Sequence, residues 1–151
     1  MPLSQNPSIP FEIPYDVKII REKHFGFASI LLRSDGITQI NTQDDMIYTI
    51  IETKKVHGGV TELNEGRPIL ILHVPGIHSN ADDESRKFLA SKEGLESRMA
   101  FAFVLKSLPQ RMVGNFYIKI NKPEKPTRIF AQQEAAEQWL LMIKQKNNIS
   151  K

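Results

Sequence analysis

Hydrophobic and polar positions change their period several times along the chain, and each change marks an element. Val17-Lys-Ile-Ile20 is an apolar run of strand length. Phe27–Arg33 and Ile37–Asn41 are rich in β-formers and flank Ser34-Asp35-Gly36; Asp-Gly tolerates the positive φ of a tight turn, so these runs predict an antiparallel hairpin. Thr42 offers a hydroxyl cap, with Asp45 three residues on. Met46, Ile47, Ile50 and Ile51 follow at helical spacing, which predicts a helix starting there. Its end reads either at Gly58-Gly59 or, through Val60 and Leu63, near Gly66. Residues 69–74, Ile-Leu-Ile-Leu-His-Val, lack alternation altogether, the mark of a central strand covered on both faces in a parallel sheet.

After Pro75-Gly76 a polar loop leads into a helix predicted over about 81–93, with Phe88 and Leu89 inward and Gly94 at its close. Met99–Leu105 is another strand, completing a β-α-β unit. Pro109 suits a first helical turn, and Leu108, Met112, Val113, Phe116, Tyr117 and Ile120 recur at spacings of three to five, which predicts a helix over 108–121. Phe116–Asn121 also alternates like a strand. Thr127–Phe130 is a short strand, and Ala136, Trp139, Leu140 and Ile143 form the inner stripe of a last helix. Four prolines within residues 1–14 predict an extended or disordered arm, and residues 147–151 are expected to fray. The order implies one α/β domain over 15–146, a mixed sheet opening with an antiparallel hairpin, followed by β-α-β units with helices packed on the sheet.

A chain of 151 residues, 40% hydrophobic and 25% charged, suffices for one core without crosslinks. Zero cysteines excludes disulfides, thiol nucleophiles and thiolate metal sites. No apolar run reaches membrane-spanning length, and the first residues lack a basic n-region and an apolar h-region, so a cytoplasmic protein without membrane insertion is expected. The net charge of +3 is too small to argue for nucleic acid. Yet Ser97–Phe130 holds seven basic residues against one acidic. Arg111, Lys119 and Lys122 fall on one predicted helix face as candidate anion contacts, against the simpler reading of a solvated face. Arg98 and Lys106 flank a strand and are expected to project toward the same end of the sheet.

Open α/β sheets bind ligands beyond the carboxyl ends of their strands, which draws attention to the 75–82 loop. His78, Ser79, Asn80 and Asp82 make it the candidate switch or ligand loop. Ser79 has two readings. It is a phosphoacceptor at a helix N-terminus, or it is the first member of a capping pair with Asp82 that satisfies an orphan amide. His73, in phase with Ile69 and Ile71, reads as a hydrogen-bonded core histidine rather than a metal ligand beside His78 and Asp82. Neighbours in sequence do not make a Ser79/His78/Asp82 triad, and neither a Gly-x-Ser-x-Gly motif nor a P-loop is present. Catalytic residues, metal and cofactor are therefore not expected. Tyr117 and Trp139 read as core with polar atoms at the rim.

Leu32-Arg-Ser-Asp-Gly-Ile37, Ala102-Phe-Val-Leu-Lys-Ser107, Arg111-Met-Val-Gly-Asn-Phe-Tyr117, and Asn121-Lys-Pro with Lys125-Pro-Thr-Arg-Ile-Phe130 and Glu134-Ala-Ala-Glu-Gln-Trp-Leu140 carry a family resemblance. From about Val17 to Ile143 the chain resembles the STAS-like domain of the sporulation anti-sigma-factor antagonists, most of all an uncharacterised bacterial STAS-like group. The resemblance implies a small non-enzymatic regulatory or protein-interaction domain, phosphorylated on Ser or Thr in the loop after the central strand. Where the antagonists carry Asp-Ser-Ser-Gly, this chain has Pro75-Gly-Ile-His-Ser79, leaving Ser79 nearest that position. The expected partner is a protein. The alternative is a carrier of a small anionic or lipid ligand, lipid or nucleotide, held between helices and sheet; a hydrolase is the weakest reading.

Overall fold

The structure is a computed structural model and describes residues 9–149. In chain order the elements are β1 (Ile19–Phe25), β2 (Ala28–Arg33), β3 (Ile37–Thr42), β4 (Ile47–Tyr48), α1 (Ile50–Asn64), β5 (Ile69–Val74) and β6 (Asn80–Ala81), then α2 (Asp83–Leu89), α3 (Lys92–Leu95) and β7 (Arg98–Val104). The chain closes with α4 (Leu108–Phe116), which runs into a π-helical turn (Tyr117–Asn121), then β8 (Thr127–Phe130) and α5 (Gln133–Ile149). Six strands form one sheet in the order β1-β2-β3-β5-β7-β8, while β4 and β6 pair separately. The first three strands are antiparallel and the rest parallel, the mixed α/β sheet that the hydrophobic pattern implies. Gly36, at φ 93°, makes the expected hairpin turn, and Asp35 Oδ1 accepts from Ile37 N at 3.2 Å.

Alternation along β5 sorts the core into two layers. Ile69 and Ile71 join Ile30, Ile40 and Phe101 beneath Val60 and Leu63 of α1 and Leu95 of α3. Leu70 and Leu72 point the other way and join Ile37, Ala100, Ala102 and Val104 beneath Ala136 and Leu140 of α5. β5 is therefore covered on both faces, and each sealed Ile or Leu contributes roughly 1.5–3 kcal/mol. Ala100 and Ala102 are small enough for α5 to settle close on the sheet. At the edge of this layer the buried Arg33 guanidinium meets Glu137 of α5 at 2.7 Å, Asp35 at 2.6 Å and Gln39 at 2.9 Å.

Several boundaries differ from the sequence reading. Thr42 ends β3 rather than capping a helix; the cap is Thr49, whose side chain accepts from Ile51 N while Glu52 accepts from Thr49 N at 2.7 Å. The apolar spacing from Met46 to Ile51 straddles β4 and α1, so it mimicked one helix. α1 runs through Gly58-Gly59 to a left-handed cap at Glu65, because Gly59 packs against the sheet: a Cβ there would meet Ile30 Cδ1 at 2.9 Å. The helix expected over 81–93 is two, since Ser91 breaks it and caps α3 by accepting from Gly94 N at 3.1 Å. Gly94 is buried inside α3 instead of closing the earlier helix. Over 108–121 the backbone is helical, not extended. α5 is continuous through Ile149, so residues 147–149 are helical; 150 and 151 lie outside the described residues, as do residues 1–8 of the expected arm. Residues 9–14 carry no regular structure, yet the Glu12 carbonyl accepts from Gln39 Nε2 at 2.9 Å and Gln133 Nε2 at 2.7 Å.

Candidate functional site

The 75–82 loop is sewn to the segment between β3 and α1. Thr42 Oγ1 accepts from Gly76 N at 3.1 Å, Asp44 Oδ1 from Ile77 N at 2.8 Å, and the Ile77 carbonyl from Asp45 N at 2.7 Å. From the other side Gln110 of α4 donates its amide to the carbonyls of Gly76 and Ser79 at 2.9 and 3.0 Å. Ser79 is buried at 2% exposure; its hydroxyl donates to the Gln43 carbonyl and accepts from Met46 N. It is not the helix cap. That role belongs to Asp82, whose Oδ1 accepts from Ser85 N at 2.9 Å, and this bond holds the Asp82 carboxyl below its ordinary range. Asn80 spends its backbone N–H on Met46, and the exposed His78 pairs with Asp45 at 3.0 Å from a left-handed conformation. The four loop residues thus serve separate local bonds. Between the carboxyl ends of β3, β5 and β7 and this loop lies a groove of about 560 Å³, bordered by Asn41, Asp44, Lys106 and Gln110.

Deeper, between the sheet and the helices, is a cavity of about 110 Å³. Ile71, His73, Phe101 and Phe103 form its floor; Val56, His57 and Val60 of α1, Leu89 of α2 and Tyr117 of the π turn form its walls. A second compartment of about 90 Å³ shares His73, Phe103, Leu89 and Tyr117 with it and adds Arg86, Val113 and Gly114. His73 is placed on the helix-covered face as its phase predicts, but it is not hydrogen-bonded at Nε2, which is sealed from solvent and meets no partner. Burial pushes its pKa down to about 4, so the ring is neutral near pH 7. His57 Nε2 and Arg86 Nε are likewise sealed and unpartnered. Burial, then the Arg98 charge, lowers the His57 pKa, and burial raises that of Tyr117. Among the described residues no cluster of His, Asp and Glu is arranged to hold a metal ion.

A family model described as Domain of unknown function (DUF7793) matches residues 30–144. The chain belongs to this family. Neither the curated proteins nor the solved structures include a match to it. The DUF7793 segment takes in β2 through most of α5, hence both core layers, the loop and the cavity. No helix among the described residues is long and apolar enough to cross a membrane.

The candidate basic residues of this DUF7793 domain disperse. Arg98 is the first residue of β7 and Lys106 lies beyond its last, so they do not share an end of the sheet. Arg98 is buried, donating to Thr61 Oγ1 at 2.9 Å and to the His57 and Glu96 carbonyls, and burial lowers its pKa to about 10. Arg111 turns back onto the carbonyls of Leu105 and Lys106 at 3.2 and 3.0 Å. Lys119 and Lys122 stay exposed, Lys122 in the left-handed residue that ends the π turn. The largest departure concerns the apolar positions of α4. Only Val113, Gly114 and Tyr117 face inward, with Gln110; Leu108, Met112, Phe116 and Ile120 are 63%, 64%, 47% and 57% exposed. Their unbroken spacing of four was the available signal, since two apolar stripes on one helix exceed what a single core face needs. The cavity had no signal beyond the phase of His73.

Proposed function

We propose that the domain is a STAS-like regulatory module that binds a protein partner through the outer face of α4. The observation carrying this reading is the row Leu108, Met112, Phe116 and Ile120, a large apolar surface running along α4 and into the π turn. Its geometry is prepared by the π turn: the wider i→i+5 winding advances less per residue than an α-helix and swings Ile120 back into line with Phe116. Arg86 stacks on the inner flank of Phe116 at 5.7 Å, steadying the ring while leaving it accessible. Gln110 holds Gly76, which brings the exposed Ile77 beside the first turn of the same helix. Lys119 and Lys122 flank the row, so the complementary surface is apolar with acidic borders.

A photo-crosslinking residue at Met112, tested in the native host against the same residue at the exposed Gln138 of α5, decides the matter. The expected result is one defined adduct from position 112, lost on Phe116→Glu. Equal labelling from both positions, or an adduct that survives Phe116→Glu in a folded protein, overturns the proposal.

A further inference from the structure

The cavity does not contribute to the α4 surface, and its chemistry points elsewhere. Its walls are mostly hydrocarbon and aromatic, while three polar atoms at its border have no partner: His57 Nε2 in the larger compartment, and His73 Nε2 and Arg86 Nε, which both line the smaller one. Burying such groups unpaired costs about 1–3 kcal/mol each, a cost that an occupant of the right chemistry removes. We propose that this cavity is a binding site for a small neutral single-ring molecule bearing one hydroxyl group.

Size excludes the larger candidates. The two compartments, about 110 and 90 Å³, meet at His73, Phe103 and Tyr117, and a dry cavity of roughly 150 Å³ accommodates a benzene-sized guest. Nucleotides, lipids and drug-sized ligands need roughly 300 Å³ or more. Charge is excluded by solvation: a carboxylate pays heavily for entering hydrocarbon walls, and both cations of the lining are engaged, Arg86 facing Asp83 at 3.7 Å and donating to the Ala81 carbonyl, Arg98 donating to Thr61 Oγ1 and to the Glu96 and His57 carbonyls. The polar atoms select the functional group. Arg86 Nε only donates, so it requires an acceptor oxygen; the neutral His73 ring offers either a lone pair or an N–H at Nε2. A hydroxyl accepts and donates, and so suits both. Phe101 and Phe103 lie nearly parallel at 6.4 Å, with the Tyr117 ring edge-on to Phe103 at 6.2 Å, which provides aromatic faces and edges for a ring to pack against.

The test is a titration of the full chain with phenol, followed by backbone and imidazole ¹⁵N resonances, with benzene, myristate and adenosine monophosphate as comparison probes. Phenol is expected to give saturable shifts centred on Phe103 and Tyr117, to move the His73 Nε2 resonance, and to bind about tenfold tighter than benzene, the effect of one added hydrogen bond. His73→Phe, which leaves only the Arg86 bond to the hydroxyl, is expected to reduce that preference severalfold. Should the variant not fold, the wild-type imidazole response to phenol and not benzene carries the same information. Absence of saturable shifts, an unmoved His73 resonance, or myristate or the nucleotide occupying the cavity in place of phenol overturns the proposal. None of these outcomes depends on the α4 surface.

Discussion

Arg33 Nη1 donates to Glu137 Oε2 at 2.7 Å across 104 positions of sequence, with the guanidinium sealed from solvent. The pair ties the end of β2 to the second turn of α5. Removing one partner of a buried pair strands the other, typically at 3–5 kcal/mol. Asp35 continues to pair with Arg33, so Glu137→Ala is expected to lose about 3 kcal/mol, and Glu137→Gln, which keeps an acceptor oxygen, about 1 kcal/mol. Urea denaturation measures both, and equal losses from the two variants would deny the charge its role.

Two adjacent glycines in α1 are expected to respond with opposite signs. A Cβ on Gly58 meets nothing within 4 Å, so Gly58→Ala gains about 1 kcal/mol from helix propensity. At Gly59 the same methyl runs into the fully buried Ile30, and overpacking outweighs propensity for a net loss of about 1 kcal/mol. Thermal unfolding of the two variants under one condition separates these effects.

Ser79→Asp is expected to destabilise the domain by about 2 kcal/mol or more, because it places a carboxylate in a buried position facing the Gln43 carbonyl. Ser79→Ala, which only deletes the bond to Met46 N and its own donor, costs about 1 kcal/mol. A wild-type melting temperature for Ser79→Asp would mean that the position accepts negative charge, as a phosphorylation switch there requires.

His73 gives the stability a pH slope. Its folded pKa of about 4 lies below the unfolded value of 6.5, so between those pH values the unfolded chain binds a proton that the folded chain refuses. Stability is full above pH 6.5 and falls as pH drops toward 4, by on the order of 3 kcal/mol. His57, shifted in the same direction, adds to the slope. His73→Phe is expected to flatten most of it, as read from chemical denaturation across that range; an unchanged slope would assign it to other groups.

The legible parts of this fold were those where one physical demand governs a whole segment. The unbroken run Ile69–Val74 requires cover on both faces, and Asp35-Gly36 permits few turns other than a hairpin. The cap of α1 was misplaced because Thr42-x-x-Asp45 and Thr49-x-x-Glu52 both offer a polar pair ahead of apolar residues; the pairing of Ile47-Tyr48 with Asn80-Ala81, 33 residues away, decided between them. Ser79 failed as a cap for the same reason: a distant carbonyl, that of Gln43, claimed its hydroxyl. At α4 periodicity identified the helix but could not rank its two apolar stripes, since the inner one is selected by Leu105 and Ile129 closing on Gly114.

Because α5 is, among the described residues, the helix packed on the Leu70–Leu72 face of the sheet, the order of synthesis has a consequence for folding in the cell. Ile37, Leu70, Leu72, Ala100, Ala102 and Val104 all leave the ribosome before Ala136 and Leu140, which shelter them. The nascent chain can complete the layer beneath α1 while the opposite face still lies bare. A chain halted before residue 133 would carry every strand of the sheet and still present that apolar layer to solvent.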